Sequence, residues 1–364
     1  MNTNSKHSNR LRKIGKAAAG LVSAAVISAL FLLISCSEQA PARQSIAVFV
    51  PGVVAGNPVY EMLTEGVSQA VEDYNAKKSD EPKATLSIIE AGTNQAEWST
   101  KLIAISAIGD YDLIISSNPS LPDLASPLTS RFPKQKYLIL DGYLQGNSNI
   151  ATVRYNQREQ AYLTGYAAAL VTQASPSQMK YANEQKKIAL VAAQEYPVMN
   201  NVILPSYIEG AQAVDKDIDV EFRIVGNWYD AAKGADIART LYAEGVDVIL
   251  PIAGGASQGV IAAAKELGFY IAWFDDNGFS KAPGYVISSS VMEQKKTAYE
   301  QTLAYLENKL EFGTAKTLGI KDGYVDFVLD DPAFIESVPE NIRTALQEAY
   351  DSIRSGALVL PVQN

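Results

Sequence analysis

One stretch of this chain occurs twice, and that repetition restricts the fold more than any single motif. Residues 246–278 read VDVILPIAGGASQGVIAAAKELGFYIAWFDDNG. An aliphatic, β-branched run ends in Ala253-Gly254-Gly255, a helix-period segment follows, and a second apolar run closes on Asp275-Asp276-Asn277-Gly278. Residues 111–142 repeat the plan, from YDLIISSNPS through a Pro-punctuated middle to KYLILDG. Asp112 and Asp247 lie 135 positions apart, and Asp141 and Asp275 lie 134 apart. Upstream, Thr85 to Ile89 falls on Val220 to Ile224 at the same offset of 135. Such an offset is too long for a solenoid repeat. Any two βα units share some pattern, but several strand and helix blocks stay in register here. The spacing therefore predicts an α/β chain of two Rossmann-like lobes with parallel sheets. Ligands on such sheets bind in the crevice beyond the strands' carboxyl ends. That rule would set Ser116-Ser117-Asn118 and Ala253-Gly254-Gly255 on opposite walls of one cleft.

The first 35 residues read as a leader. Lys6, Arg10, Arg12, Lys13 and Lys16 precede an apolar run that ends Leu33-Ile34-Ser35-Cys36. A basic head, an apolar stretch and small residues before a cut describe a secretory signal. An uncleaved anchor is the alternative, but a membrane span needs roughly 20 apolar residues and this run is broken by Gly20, Ser23 and Ser28. Leu-Ile-Ser-Cys resembles the lipobox of bacterial lipoproteins, which would make Cys36 a lipid-bearing first residue, with residues 36–44 as a flexible tether. Stable anchoring takes more than one acyl chain. The expected location is the bacterial cell membrane, lipid-anchored and facing the periplasm or exterior.

Removing the leader leaves 26 basic residues against 40 acidic ones, a net charge of −14, and takes away His7, the only histidine. Cys36 is the only cysteine. Ser-His-Asp and Cys-His catalysis, thiolate or histidine metal sites and internal disulfides are therefore excluded from the body. Carboxylate pairs, lysines and oxygen-ligand calcium sites stay open; no metal site or cofactor is expected. The negative charge argues against nucleic acid, whose phosphates need clustered Lys and Arg.

Residues 45–50 read as the first strand, followed by a Gly-rich turn and a helix from about 58. Asn57 suits the N-cap and Pro58 the first helical position. No Gly-x-Gly-x-x-Gly or Gly-Lys-Ser/Thr is present, so dinucleotide and P-loop sites are not expected. Tyr60, in the first turn, faces the cleft or packs in the core. Trp228, at a strand-to-helix loop on the predicted cleft side, stacks on a flat ligand or simply packs. Trp98 and Trp273 read as core, and Asp230 as a helix cap. Residues 286–290 read as a strand, with a helix over 291–308 crossing back to the first lobe. The expected division is 45–155 plus about 286–320 for lobe one, and 156–285 plus about 321–364 for lobe two. Several crossings make a hinge, a known device for closing around ligands.

The ordered residues also resemble a family. Ile150-Ala151-Thr152-Val153 and then Ala161-Tyr162-Leu163-Thr164-Gly165-Tyr166-Ala167-Ala168 are similar to the "nVa…eYLaGylAA" signature of the basic membrane lipoproteins. Asn227-Trp228 with Asp230, residues 245–250, Ala253-Gly254-Gly255 and Phe274-Asp275 resemble that family's second-lobe pattern. The resemblance covers about residues 46–299. It implies a type I periplasmic binding protein-like fold and an extracytoplasmic solute-binding lipoprotein of an ABC importer, in a family that includes purine-nucleoside receptors. It also implies that Asp275 holds ribose hydroxyls, that Gly254 lets backbone approach the ligand and that aromatic rings sandwich the base. Two positions depart from it. Gly56-Asn57-Pro58-Val59-Tyr60 replaces an acid-bearing turn, and Met292 stands where the family has lysine.

A flat, hydroxylated solute needs acceptors and ring faces. Asp275 and Asp141, at strand ends, are candidates for charge-assisted bonds to hydroxyls, or alternatively form turns, Asp141-Gly142 being a common turn dipeptide. Asn118 reads a base edge or caps the following turn. The expected function is a nucleoside-like receptor serving an ABC permease. A lipid-anchored sensor of a sugar or nucleoside, or a carboxylate-dependent nucleoside or glycoside hydrolase using Asp141 and Asp275, are the alternatives.

Overall fold

The computed structural model describes residues 44–77 and 83–362. The leader, Cys36 and all of the tether but Gln44 lie outside the described residues. In chain order the elements are β1 (Ser45–Val50), α1 (Pro58–Ala76), β2 (Thr85–Glu90), α2 (Trp98–Ile108), β3 (Leu113–Ser117), α3 (Leu121–Arg131), β4 (Lys136–Leu140) and β5 (Ile150–Tyr155). Then come α4 (Gln157–Thr172), β6 (Lys187–Ala192), α5 (Leu204–Val214), β7 (Asp219–Ile224), α6 (Ala231–Ala243), β8 (Val246–Ile252), α7 (Ser257–Leu267), β9 (Tyr270–Asp275) and β10 (Val286–Met292). The chain closes with α8 (Gln294–Leu306), β11 (Ala315–Leu318), β12 (Val325–Phe327), α9 (Pro332–Ser337) and α10 (Glu340–Ser355).

The inner strands are continuous apolar runs because helices cover both faces of each sheet, as parallel sheets require. Ile46 to Val50 and Ile188 to Ala192 are all fully buried. The two sheets have the same order, β11-β5-β4-β3-β1-β2 and β12-β10-β9-β8-β6-β7. Five strands of each therefore follow the doubly wound order 2-1-3-4-5, which reverses direction beside the first strand and opens a crevice there. Among the described residues every pairing is parallel except β10 with β12. Thr85 pairs with Ser45 and Asp219 with Lys187, so the repeat read in the sequence is a repeat of strand position. The expectation of two Rossmann-like α/β lobes holds.

Within the described residues the chain passes between the sheets three times, after β5, after β10 and after β11. In consequence α4 follows a strand of the first sheet but packs on α5 and β10, while α8 follows a strand of the second and packs on α1. One expectation is corrected. The sequence places about 286–320 with the first lobe, yet its first part, β10, pairs with β9 and β12 in the second sheet. The helix expected from 291 begins at Gln294, because Val291 and Met292 remain in the sheet, opposite Asp326 and Val325.

Candidate functional site

The loops after β1, β3, β4, β6, β7, β8 and β9 converge on a cavity of about 140 Å³, and all seven binding residues expected from the sequence lie on its wall. Asn57 ends the loop after β1. Its Oδ1 accepts a bond from the Tyr60 amide at 3.3 Å, the N-cap anticipated for α1. Capping turns the first helical residues toward the cavity and brings Tyr60 with them. Tyr60 is both core and wall: it is 7 % exposed, and its hydroxyl donates to Pro51 O at 3.0 Å.

Asn118 follows β3. Its Oδ1 accepts from Ser120 N at 2.9 Å, so it does form the anticipated turn, and its amide also interacts with the Tyr60 hydroxyl. The turn-capping role is thus the one seen in the structure. Trp228 is held by Asn227, whose Oδ1 accepts from Tyr229 N and Asp230 N at 2.9 and 2.8 Å. Gly254 adopts φ 55°, and a Cβ there would stand 3.0 Å from Trp228 O and 3.3 Å from its ring. A glycine is what lets that tryptophan sit against the backbone of the wall.

Asp141 and Asp275 end β4 and β9 at equivalent points, both with left-handed backbones, φ 52° and 76°. Aspartate tolerates this region better than most residues. Such conformations gather where the surrounding structure holds a functional group in place. Burial pushes Asp275 up to about 7, with the neighbouring Asp276 charge adding to it and a bond from Gln160 Nε2 at 3.3 Å opposing it. Burial, then the charge of Asp275, holds Asp141 well above the ordinary carboxylate range. Tyr196 is raised by burial and then by both aspartates, which places all three around one space. Asp276 differs, because Lys281 pairs with it at 3.0 Å and the Trp273 indole N–H donates to it.

Several wall residues were not singled out from the sequence. Tyr196 and Gln194 follow β6, in the place that Pro51 to Val54 occupy after β1. The repeat, followed one loop further, leads to them. Tyr196 stands over Trp228 with ring centroids 6.2 Å apart, tilted 39°. Gln157, Tyr229 and Ser257 carried no local signal, being a crossing, a loop and a helix start. Trp98 and Trp273, expected as core, are buried at 5 % and 6 % exposure and also reach the cavity. Met292, where the resembled family has lysine, lines the wall too; its sulfur accepts from Gln157 Nε2 at 3.7 Å. The arrangement offers acidic acceptors, amide groups and ring faces to an enclosed solute.

Comparison with known proteins agrees with this geometry. Residues 43–357 match the Bmp family, ABC transporter substrate-binding protein PnrA-like. The chain is 27% identical over 268 residues to the ABC transporter nucleoside-binding protein BmpA of Lactococcus lactis, covering 69% of this chain and 71% of that one. It is 26% identical over 333 residues to basic membrane protein A2 of Borrelia garinii, covering 89% and 90%. Among solved structures, an ABC transporter solute-binding protein of Aeropyrum pernix superposes with a TM-score of 0.72 at 20% identity, covering 88% of this chain and 94% of that one. A transcriptional activator of the comK gene from Bacillus halodurans, at 0.66 and 18%, covers 87% and 100% and shares the fold alone. The chain belongs to the PnrA-like ABC transporter substrate-binding family: it is an extracytoplasmic protein that binds a small-molecule substrate for an ABC permease, and it is not an enzyme.

Proposed function

We propose that this chain is a lipid-anchored receptor that encloses a nucleoside-like solute, with purine nucleosides the leading class, and presents it to an ABC permease. The observation that carries the reading is the meeting of two strand-end carboxylates with the Tyr196–Trp228 ring pair in one enclosed space. Carboxylates bind vicinal hydroxyls through charge-assisted bonds, roughly twice as strong as neutral ones. Ring faces add about 1–3 kcal/mol per stacked base. A nucleoside supplies hydroxyls at one end and a flat ring at the other. The Lactococcus lactis relative, a nucleoside-binding protein by name, supports the same class. The lipobox-like Leu33-Ile34-Ser35-Cys36 supports anchoring through Cys36.

Isothermal titration of the full chain, in detergent, against nucleosides, free bases and sugars tests the ligand. Saturable heat with nucleosides and none with sugars is the expected result; heat with sugars alone overturns it. Mass spectrometry of the native protein tests the anchor, since an acylated Cys36 is expected and an intact leader with a free thiol overturns it.

A further inference from the structure

The crossings join the two sheets along one edge, that of β5 and β11 in the first and of β10 and β12 in the second. The loops after β1 and β7 lie toward the opposite edge, where β2 and β7 end the sheets. There the second lobe reaches the first. Tyr229, in the loop after β7, carries its hydroxyl to Gly52 in the loop after β1. A Cβ on Gly52 would stand 3.3 Å from that hydroxyl and 2.9 Å from the Tyr60 ring, so the missing side chain leaves the phenol its place. Burial pushes the Tyr60 phenol up, and the nearness of Tyr229 adds to it.

The base of Tyr229 is fixed in its own lobe. Asn227 Oδ1 accepts from its amide at 2.9 Å, and its Cα lies 3.8 Å from where a Cβ on Gly255 would stand. The side chain is 44 % exposed, so one side meets water while the tip meets the other lobe. The repeat does not duplicate this contact. Asn94 holds the equivalent place, 135 positions earlier. Its side chain stays within its own loop, accepting from Ala96 N at 3.2 Å and donating to Glu97 at 2.9 Å. Val59, the second residue of α1, adds apolar contact, packing against the clusters that fill both lobes.

A contact beside the crossings changes little as the lobes turn about them. A contact at the far edge is made only when the cleft is shut, so its whole worth biases the protein toward the shut form. Solute enters and leaves through the open form, and such a bias slows both steps by lowering the open fraction. We propose that Tyr229 is the latch of this cleft, a positioning residue that holds the lobes shut through Gly52 and Tyr60 and sets how fast solute enters and leaves. The inference does not depend on which solute the cleft takes.

Tyr229→Ala, Gly52→Ala and the double variant test it, each made in the full chain in detergent. Thermal unfolding checks that each folds. Without solute, residues 116–121 on the wall of lobe one should exchange amide hydrogen about threefold faster in Tyr229→Ala, as the open fraction grows. In stopped-flow binding of adenosine, entry should quicken along with exit, and exit should rise about tenfold, the worth of about 1.4 kcal/mol. Gly52→Ala, whose methyl displaces the phenol from the other side, should act in the same direction. The double variant should match Tyr229→Ala, because two residues that share one contact do not act additively. Faster exit with unchanged entry and unchanged exchange would mean that Tyr229 touches the solute and not the other lobe, and overturns the inference. Unchanged rates throughout overturn it too. If adenosine does not bind the native chain, the nucleoside reading falls, and hydrogen exchange alone decides on the latch.

Discussion

Asp141 and Asp275 close equivalent strands with the same left-handed backbone, yet the walls beside them are unlike. After β3 the chain offers Ser117, Asn118 and Pro119; after β8 it offers Ala253, Gly254 and bare backbone against Trp228. Ser117 Oγ is also tied into the hinge, accepting from Gln294 Nε2 at 2.7 Å, while Tyr155 donates to Gln294 Oε1 at 2.7 Å. The first wall is thus a polar surface wired to a crossing segment, and the second is an aromatic surface fitted against glycine. A repeated backbone decides where groups converge. What each wall recognises is decided by a few side chains at the strand ends.

The helix pairs beneath the walls carry the comparison into stability. In the second lobe α4 and α5 touch backbone to backbone. A Cβ on Gly165 would stand 2.0 Å from Tyr207 O, and one on Gly210 would stand 1.9 Å from Tyr162 O. In the first lobe, Gly66 of α1 lies against α8, where a Cβ would meet Lys295 O at 2.3 Å and the Ala298 methyl at 2.8 Å. Gly210→Ala should lower stability by about 3 kcal/mol, the upper end for overpacking, and Gly66→Ala by about 2 kcal/mol. Urea midpoints measure both. An unchanged midpoint for Gly210→Ala would break the account of how α4, which leaves the first sheet, is held to the second.

Asp112 and Asp247, at matching positions before β3 and at the second residue of β8, sharpen it further. Asp112 Oδ2 accepts from Ser45 N at 2.8 Å in an exposed setting. Asp247 Oδ2 accepts from Asn183 N at 2.7 Å but is 1 % exposed, and burial holds its carboxyl up at about 6. The folded protein keeps this proton where the unfolded chain, near 3.8, has lost it. Its contribution is therefore complete below about pH 4 and is lost as the pH rises through about 6. The span is worth at most about 3 kcal/mol. Asp247→Asn should flatten the fall in stability between those pH values; Asp275, raised to about 7, leaves a residual slope. Asp112→Ala should cost about 1 kcal/mol through its hydrogen bond alone. Equal pH profiles for the two variants would contradict the difference in burial.

The repeat was legible because parallel strands buried on both faces leave uninterrupted aliphatic runs, and their spacing survives divergence. The carboxyl-end loops were legible for the same reason, which is why Asp141, Asp275, Asn118 and Gly254 could be placed together. Tyr196 was harder to see. It sits just before a π-helical turn at Met199–Ile203, where neither a 3.6-residue nor a two-residue period marks the chain. The sheet membership of β10 was also not local information, since Val286–Met292 reads as a strand in either lobe. Only its pairing with β9 and β12 decides. Gly165 lies in a stretch that looked like a family signature, and its physical content, a helix crossing against Tyr207, needed the partner helix.

A smaller effect separates the walls at Gly254. Gly254→Ala forces a Cβ into a left-handed residue, at about 1–2 kcal/mol, and pushes it against Trp228. Ligand affinity should fall with stability, because Trp228 must shift off its seat. Indole fluorescence should report the displacement without ligand. Unaltered fluorescence and affinity would remove the reason for a glycine on this wall.

The least disruptive comparison concerns the two helix caps. Asn57 caps α1 from the first wall, and Asp230 caps α6, its Oδ1 accepting from Lys233 N at 2.9 Å. Truncating either cap to alanine should cost about 1 kcal/mol. Only Asn57 lies on the cavity, so the consequences should diverge in binding. Asn57→Ala removes an amide from the wall and loosens the turn that positions Tyr60. Affinity for the ligand should then drop several-fold beyond the loss of stability. Asp230→Ala should lower the unfolding midpoint equally and leave affinity within about twofold, since Asn227 independently fixes the Trp228 loop through its two amide bonds. Calorimetry on both variants at one pH decides. Equal losses of affinity would mean that Asn57 acts only through the helix it caps, and the first wall would then rest on Asn118 and Asp141.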